Sequence, residues 1–141
     1  MAEKNKYWSA ILYPENMIEN WKDEIGDIVQ LPYAYCLHDK DLDKDGDDRK
    51  VHLHLVLAFP NTTTMNHAKN IYSSLSREGA KCLSTLQGVN NIRHIYDYLI
   101  HDTEDSKKKG KHLYDKKERV TGNGFDIGAF EQLGLKEKND I

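Results

Sequence analysis

The run Val51-His52-Leu53-His54-Leu55-Val56-Leu57 sets two imidazoles at alternate positions in an aliphatic stretch. In a β-strand every second side chain lies on the same face. His52 and His54 therefore point together, while Val51, Leu53, Leu55 and Leu57 point the other way into a core. Two imidazoles held side by side are half of a metal site. A third histidine, His38, closes the predicted strand Tyr33–His38, and Asp41 follows in the connecting loop. If the two strands pair, three nitrogens and one carboxylate oxygen converge. That borderline donor set suits Mn, Zn, Co or Ni, and Mg less readily. With no thiolate needed, a metal there keeps positions for a substrate oxygen.

Two other readings compete for the same residues. Cys36 lies two residues before His38 and can share its face, which would make a Cys-His-His-His structural zinc site. Asp41-Leu42-Asp43-Lys44-Asp45-Gly46 opens like an EF-hand calcium loop. Position eight should then be apolar and is Asp48, and position twelve should be a bidentate glutamate and is His52.

The second chemical feature is Asn91–His101. Ile92, Ile95, Tyr96 and Leu99 fall at i, i+3, i+4 and i+7 and define one apolar helix face, which makes Tyr96 a core residue. Tyr98 falls off that face, grouped with His94 and His101. It is a candidate nucleophile, with His101 the nearest candidate for proton transfer or support. A free phenol titrates at about 10 and attacks poorly at neutral pH. A divalent ion that holds a phosphodiester oxygen withdraws charge and positions the phosphorus. Attack then gives a covalent phosphotyrosine, which retains the phosphodiester bond and permits later rejoining.

The chain's 141 residues fit one domain, and 38% hydrophobic with 30% charged residues exclude a disordered chain. We expect a domain over residues 1–135 and a short tail over 136–141. No apolar run approaches the roughly 20 residues of a membrane helix, and the first residues lack the apolar stretch of a signal peptide. Cys36 and Cys82, without C-x-x-C spacing, suit free thiols in a reducing cytoplasm. The net charge of −3 does not itself indicate nucleic acid, but its distribution is uneven. Acid gathers between Asp39 and Asp48. Base gathers in Lys107, Lys108, Lys109, Lys111, Lys116, Lys117 and Arg119, the candidate DNA phosphate contacts.

The elements that must position these groups follow from periodicity and breakers. Lys6–Tyr13 reads as a strand, Glu15–Ile28 as a helix, Tyr33–His38 and Val51–Phe59 as strands, with Pro60 as a stop. Asn61-Thr62-Thr63-Thr64 offers helix caps for a helix reaching about Arg77. Lys81–Leu86 reads as a strand, Asn90–His101 as a helix, Asp102–Gly110 as a charged loop, and Phe125, Ile127, Phe130 and Leu133 as a short amphipathic helix. The order β-α-β-β-α-β with C-terminal helices predicts an α+β, ferredoxin-like antiparallel sheet with helices on one face and the other face open for a site.

Taken together, several motifs resemble one family: His52-Leu53-His54 on a strand with Tyr98 on a downstream helix resembles the HUH endonucleases. More narrowly, Leu12-Tyr13-Pro14-Glu15, Leu37-His38-Asp39-Lys40-Asp41, Tyr96-Asp97-Tyr98-Leu99-Ile100-His101, His112-Leu113-Tyr114-Asp115-Lys116-Lys117 and Phe125-Asp126-Ile127 resemble rolling-circle replication initiators of small Gram-positive plasmids. The resemblance implies that His38, Asp41, His52 and His54 hold a divalent metal, manganese first, and that Tyr98 nicks one strand at the double-strand origin. It also implies a 5′-phosphotyrosine, a 3′-OH that primes a host polymerase, work alongside a host helicase, and a bacterial cytoplasmic setting. A relaxase or single-tyrosine transposase shares this chemistry. A non-catalytic DNA-binding module and a calcium-loop protein are the alternatives of another class.

Overall fold

The computed structural model describes residues 3–43 and 45–139. Strands β1 (Lys4–Leu12), β2 (Tyr33–His38), β3 (His52–Thr64), β4 (Leu83–Val89) and β5 (Arg119–Gly122) form one sheet in the order β4-β1-β3-β2-β5. Every neighbouring pair is antiparallel. The first four strands take the expected ferredoxin-like order, and β5 adds an outer strand beside β2. Helix α1 (Trp21–Val29) connects β1 to β2, and α2 (Met65–Ser73) connects β3 to β4. After β4 come α3 (Ile92–Tyr98), α4 (Glu104–Lys108) and α5 (Ile127–Asn139). Among the described residues no helix is long and apolar enough to cross a membrane.

Strand alternation divides the sheet into two chemistries. Trp8, Ala10 and Leu12 of β1 and Leu53, Leu55, Leu57 and Phe59 of β3 pack against Trp21, Ile25 and Val29 of α1 and Ala68 and Tyr72 of α2. Each aliphatic side chain so buried contributes about 1.5–3 kcal/mol. The odd residues of β3 thus anchor the strand, which leaves His52 and His54 no choice but the other face.

That other face is not left open as the strand order implied. Asn91 caps α3, its side chain accepting from the His94 backbone N–H at 3.0 Å, and turns the chain back across the sheet. Ile92, Ile95, Leu99 and Ile100 then bury Ala34, Cys36 and Val56, with Phe125, Ile127 and Phe130 packed alongside. The helix apolar stripe required a second sheet face to pack on. What stays accessible is the histidine end.

Other expectations are corrected locally. Pro60 does not stop β3. Between the pairs Tyr7↔Ala58 and Asn5↔Thr63 the register shifts, and Pro60 lies in this irregular stretch, where no ladder N–H is demanded of it. The helix cap is Thr64, whose hydroxyl accepts from the His67 N–H at 3.2 Å, and α2 stops at Ser73, short of Arg77. Pro14–Asn16 forms only a 3-10 turn before α1. The charged loop after α3 contains α4, capped by Thr103. β5 was not anticipated. Its Gly122 stands opposite Tyr33, and a β-carbon there would collide with the Tyr33 ring.

Candidate active site and metal centre

β2 and β3 pair in the register that matters: His38 and His52 are direct cross-strand partners. His38 and His52 are each buried, and each has one ring nitrogen committed. The Nε2–H of His38 donates to the Leu99 carbonyl at 2.7 Å, and the Nδ1–H of His52 donates to the Lys50 carbonyl at 3.0 Å. A carbonyl only accepts, so these bonds fix the tautomers. The remaining nitrogens, His38 Nδ1 and His52 Nε2, present lone pairs to each other across 3.1 Å. Asp41 Oδ2 completes the triangle at 3.4 Å from His38 and 3.5 Å from His52.

Three lone-pair atoms turned together with no proton between them repel unless a cation lies among them. Their chemistry fits a divalent metal. Each histidine also has the outer-shell carbonyl that ligating imidazoles use to fix their orientation. Burial holds His38 down to about 4 and lowers His52 as well, so both rings are neutral and free to ligate near neutrality.

His54 adjoins this cluster without joining it. Its ring centroid is 5.8 Å from that of His38, but among the described residues only His38, Asp41 and His52 bring donor atoms within 4.8 Å of one another. Its Nε2 lies 2.6 Å from the Ser9 hydroxyl of β1, and its Nδ1 is buried with no hydrogen-bond partner in the protein. Such an orphan costs about 1–3 kcal/mol. A metal bond would satisfy it. Complete burial, with neighbouring histidines adding to it, holds His54 down to about 3.

Two residues without an assigned role from spacing support the centre. Tyr114 is buried and donates its hydroxyl proton to Asp41 Oδ1 at 2.5 Å, while Tyr114 accepts from the Lys40 backbone N–H at 3.1 Å. Burial and the Asp41 bond push the Tyr114 phenol far above its ordinary range, so it stays a donor. This bond frees the other Asp41 oxygen for the histidines. Ser9, the second support, was legible only as a polar residue in an apolar strand.

Cys36 does not take part. It sits opposite His54 in the second core, and burial, then nearby carboxylates, push its thiol up to about 12, away from the thiolate a zinc site needs. The EF-hand reading also fails on geometry. Strands flank the loop, and Asp43 Oδ1 is turned inward to accept the Asp45 and Asp47 backbone N–H groups at 2.8 and 3.1 Å.

Tyr98 opens onto the same groove as the metal cluster, a cavity of about 740 Å³ that also reaches Ser9, Thr85 and Gln87. Its ring lies 5.6 Å from those of His54 and His101. Its hydroxyl accepts from Lys111 Nζ at 2.8 Å. His101 is held at the end of α3 with φ of 60°, a left-handed conformation rare outside glycine. Its N–H bonds the Tyr98 carbonyl at 2.9 Å, the next N–H bonds the Asp97 carbonyl at 2.9 Å, and its Nδ1–H donates to the His112 carbonyl at 2.8 Å. Burial lowers the His101 imidazole too.

Residues 1–128 match the plasmid replication protein, origin binding domain family. The chain belongs to that family. Among curated proteins this origin-binding domain is 32% identical over 142 residues to the replication protein RepB of Streptococcus agalactiae, covering 99% of this chain and 66% of that one. It is 33% identical over 137 residues to the replication protein RepB of Lactiplantibacillus plantarum, covering 96% of this chain and 57% of the relative. A replication protein of Staphylococcus aureus is 22% identical over 124 residues, covering 88% of this chain and 57% of the relative. The chain thus spans about two thirds or less of the length of these relatives.

In this origin-binding domain Tyr96 is not the core residue that helix periodicity suggested. It is half-buried, with the Arg119 guanidinium 3.6 Å from its ring centroid on β5 and Phe125 stacked on it at 6.0 Å. The unanticipated strand β5 supplied that cover. Arg119 also donates to the Tyr96 carbonyl at 3.0 Å. The lysine run is not uniform either. Lys107 pairs with Asp102 at 2.9 Å and Lys109 with Asp105 at 3.1 Å, while Lys108, Lys116 and Lys117 are exposed.

Proposed function

We propose that this Rep domain initiates rolling-circle replication by nicking one strand of its plasmid origin, with Tyr98 as nucleophile and a divalent ion, manganese first, held by His38, Asp41, His52 and His54. The observation that carries this reading is the cluster of unprotonated donor atoms and the Tyr98 hydroxyl facing one groove. The plasmid replication protein family that the chain matches, and the relatives named as replication proteins, support the setting.

When bound, the metal withdraws charge from the scissile phosphate and fixes its position. The chain's own contribution is orientation. Leu99 and Lys50 carbonyls hold His38 and His52, Tyr114 holds Asp41, and Ser9 holds His54. The Tyr98 oxygen attacks the phosphorus, the 5′ end stays on the protein, and the freed 3′-OH primes a host polymerase, with a host helicase opening the duplex. Of the basic segment, Lys107, Lys108, Lys109, Lys116, Lys117 and Arg119 supply phosphate contacts whose strength falls with salt.

The test is conversion of the supercoiled plasmid that carries its gene to open circles, with and without Mn2+, by the wild-type chain and by Tyr98→Phe. Metal-dependent nicking by wild type alone supports the reading. Equal nicking by Tyr98→Phe contradicts it. Origin binding without nicking by either protein assigns the domain to DNA binding only.

A further inference from the structure

The sequence offers Lys107, Lys108, Lys109 and Lys111 as one basic run, yet the fold treats them differently. Lys107 and Lys109 are engaged by Asp102 and Asp105 on the short helix α4 and its entry. Lys111 comes after the helix and is aimed elsewhere. Gly110 takes φ of +69°, a conformation that side-chain-bearing residues rarely adopt, and reverses the chain at the end of α4. The Lys111 N–H then bonds the Ser106 carbonyl at 3.1 Å, and Ser106 is itself fully buried and tied to Thr103. This anchored reversal carries the Lys111 side chain into the groove. There its Nζ donates to the Tyr98 hydroxyl at 2.8 Å and lies 4.9 Å from the Tyr98 ring centroid.

We propose that Lys111 is a catalytic residue, its ammonium stabilising negative charge on the Tyr98 oxygen as that oxygen joins and leaves the scissile phosphorus. The inference rests on the nicking reaction proposed above. In the forward step the phenol proton passes to solvent water, the bond from the Tyr98 oxygen to phosphorus forms, and the bond from phosphorus to the 3′ oxygen breaks. The 3′ oxygen takes a proton from water. In rejoining, the 3′-OH gives its proton to water and its oxygen bonds phosphorus. The tyrosyl bond breaks, and its electron pair departs on the Tyr98 oxygen. Lys111 keeps its protons in both directions and places a positive charge where negative charge develops. A preset donor of this kind acts on the transition state more than on binding.

The experiment compares wild type, Lys111→Met, Lys111→Gln, Lys111→Arg and Tyr98→Phe on the supercoiled plasmid carrying the chain's gene, with Mn2+ at saturating protein. Covalent adduct formation and its reversal by added strand with a free 3′-OH are followed, alongside DNA affinity across a salt series. Both rates should fall roughly 100-fold or more in Lys111→Met and Lys111→Gln, the loss seen when one oxyanion donor is removed. DNA affinity should be nearly unchanged, and Lys111→Arg should recover much of the rate. If the neutral variants instead weaken binding, flatten its salt dependence and react like wild type at saturation, Lys111 is a phosphate contact and the proposal is overturned. If Lys111→Arg is as slow as Lys111→Met with an equally lowered melting temperature, the residue is structural and the proposal is again overturned. Absence of any adduct in wild type would sink the nicking reading itself, a result distinct from a normal rate in the variants.

Discussion

His38 Nδ1 and His52 Nε2 face each other across 3.1 Å in the protein interior, with the opposite nitrogen of each ring bound to a backbone carbonyl. Neither atom carries a proton in that arrangement, and neither can turn away without breaking its carbonyl bond. With Asp41 Oδ2 beside both, the pair forms a preset receptor for a cation.

Removing one member of that receptor should therefore abolish metal binding without unfolding the domain. Isothermal titration with Mn2+ is expected to lose its signal in His52→Ala. Asp43→Ala and Asp45→Ala should bind as wild type, because Asp43 is spent on loop N–H groups. In thermal melts, metal at about 100 times its dissociation constant should add about 2.7 kcal/mol to wild type and nothing to His52→Ala. Loss of binding in the Asp43 and Asp45 variants with retention in His52→Ala would move the metal into the acidic loop.

The same burial makes the metal-free domain acid-sensitive. His38 is held down to about 4 and His54 to about 3, against an ordinary value of 6.5. Between these limits the unfolded chain binds protons that the folded chain does not, so stability is full above about 6.5 and is lost as pH falls toward 4. Melting temperature in chelator should drop through that window, and a flat profile there would contradict the buried neutral imidazoles.

Ser9 tests whether the neighbour of a ligand matters. Ser9→Ala removes the only hydroxyl bonded to His54 Nε2 among the described residues. Metal affinity should fall about 10- to 100-fold, as for other outer-shell partners. An unchanged affinity would mean that His54 takes no part in the metal centre.

Much of this site was legible in the sequence because strand geometry is rigid. Alternation alone put His52 and His54 on one face, and the second face holds them. Helix spacing set Tyr98 apart from the Ile92, Ile95 and Leu99 stripe, yet in the structure its half-buried ring packs against that cluster while the residue lines the groove. What was not legible depends on contacts distant in sequence. Tyr114 meets Asp41 from 73 residues away, and Ser9 meets His54 from 45. Tyr96 lost its core assignment to a strand, β5, whose four residues show no apolar alternation. Lys111 could not be told from its neighbours without the left-handed turn at Gly110.

If Tyr98 attacks a DNA phosphate at a metal-dependent site, the covalent adduct can be mapped by mass spectrometry. The supercoiled plasmid carrying the gene is incubated with the chain and Mn2+, the DNA is digested, and the nucleotide-bearing peptide is sequenced. One modified residue is expected, Tyr98, carrying the 5′ end of the nicked strand, with no adduct in chelator or in His52→Ala. An adduct on Tyr96 or Tyr114, or nicked DNA with a free 5′ phosphate and no protein attached, would contradict it.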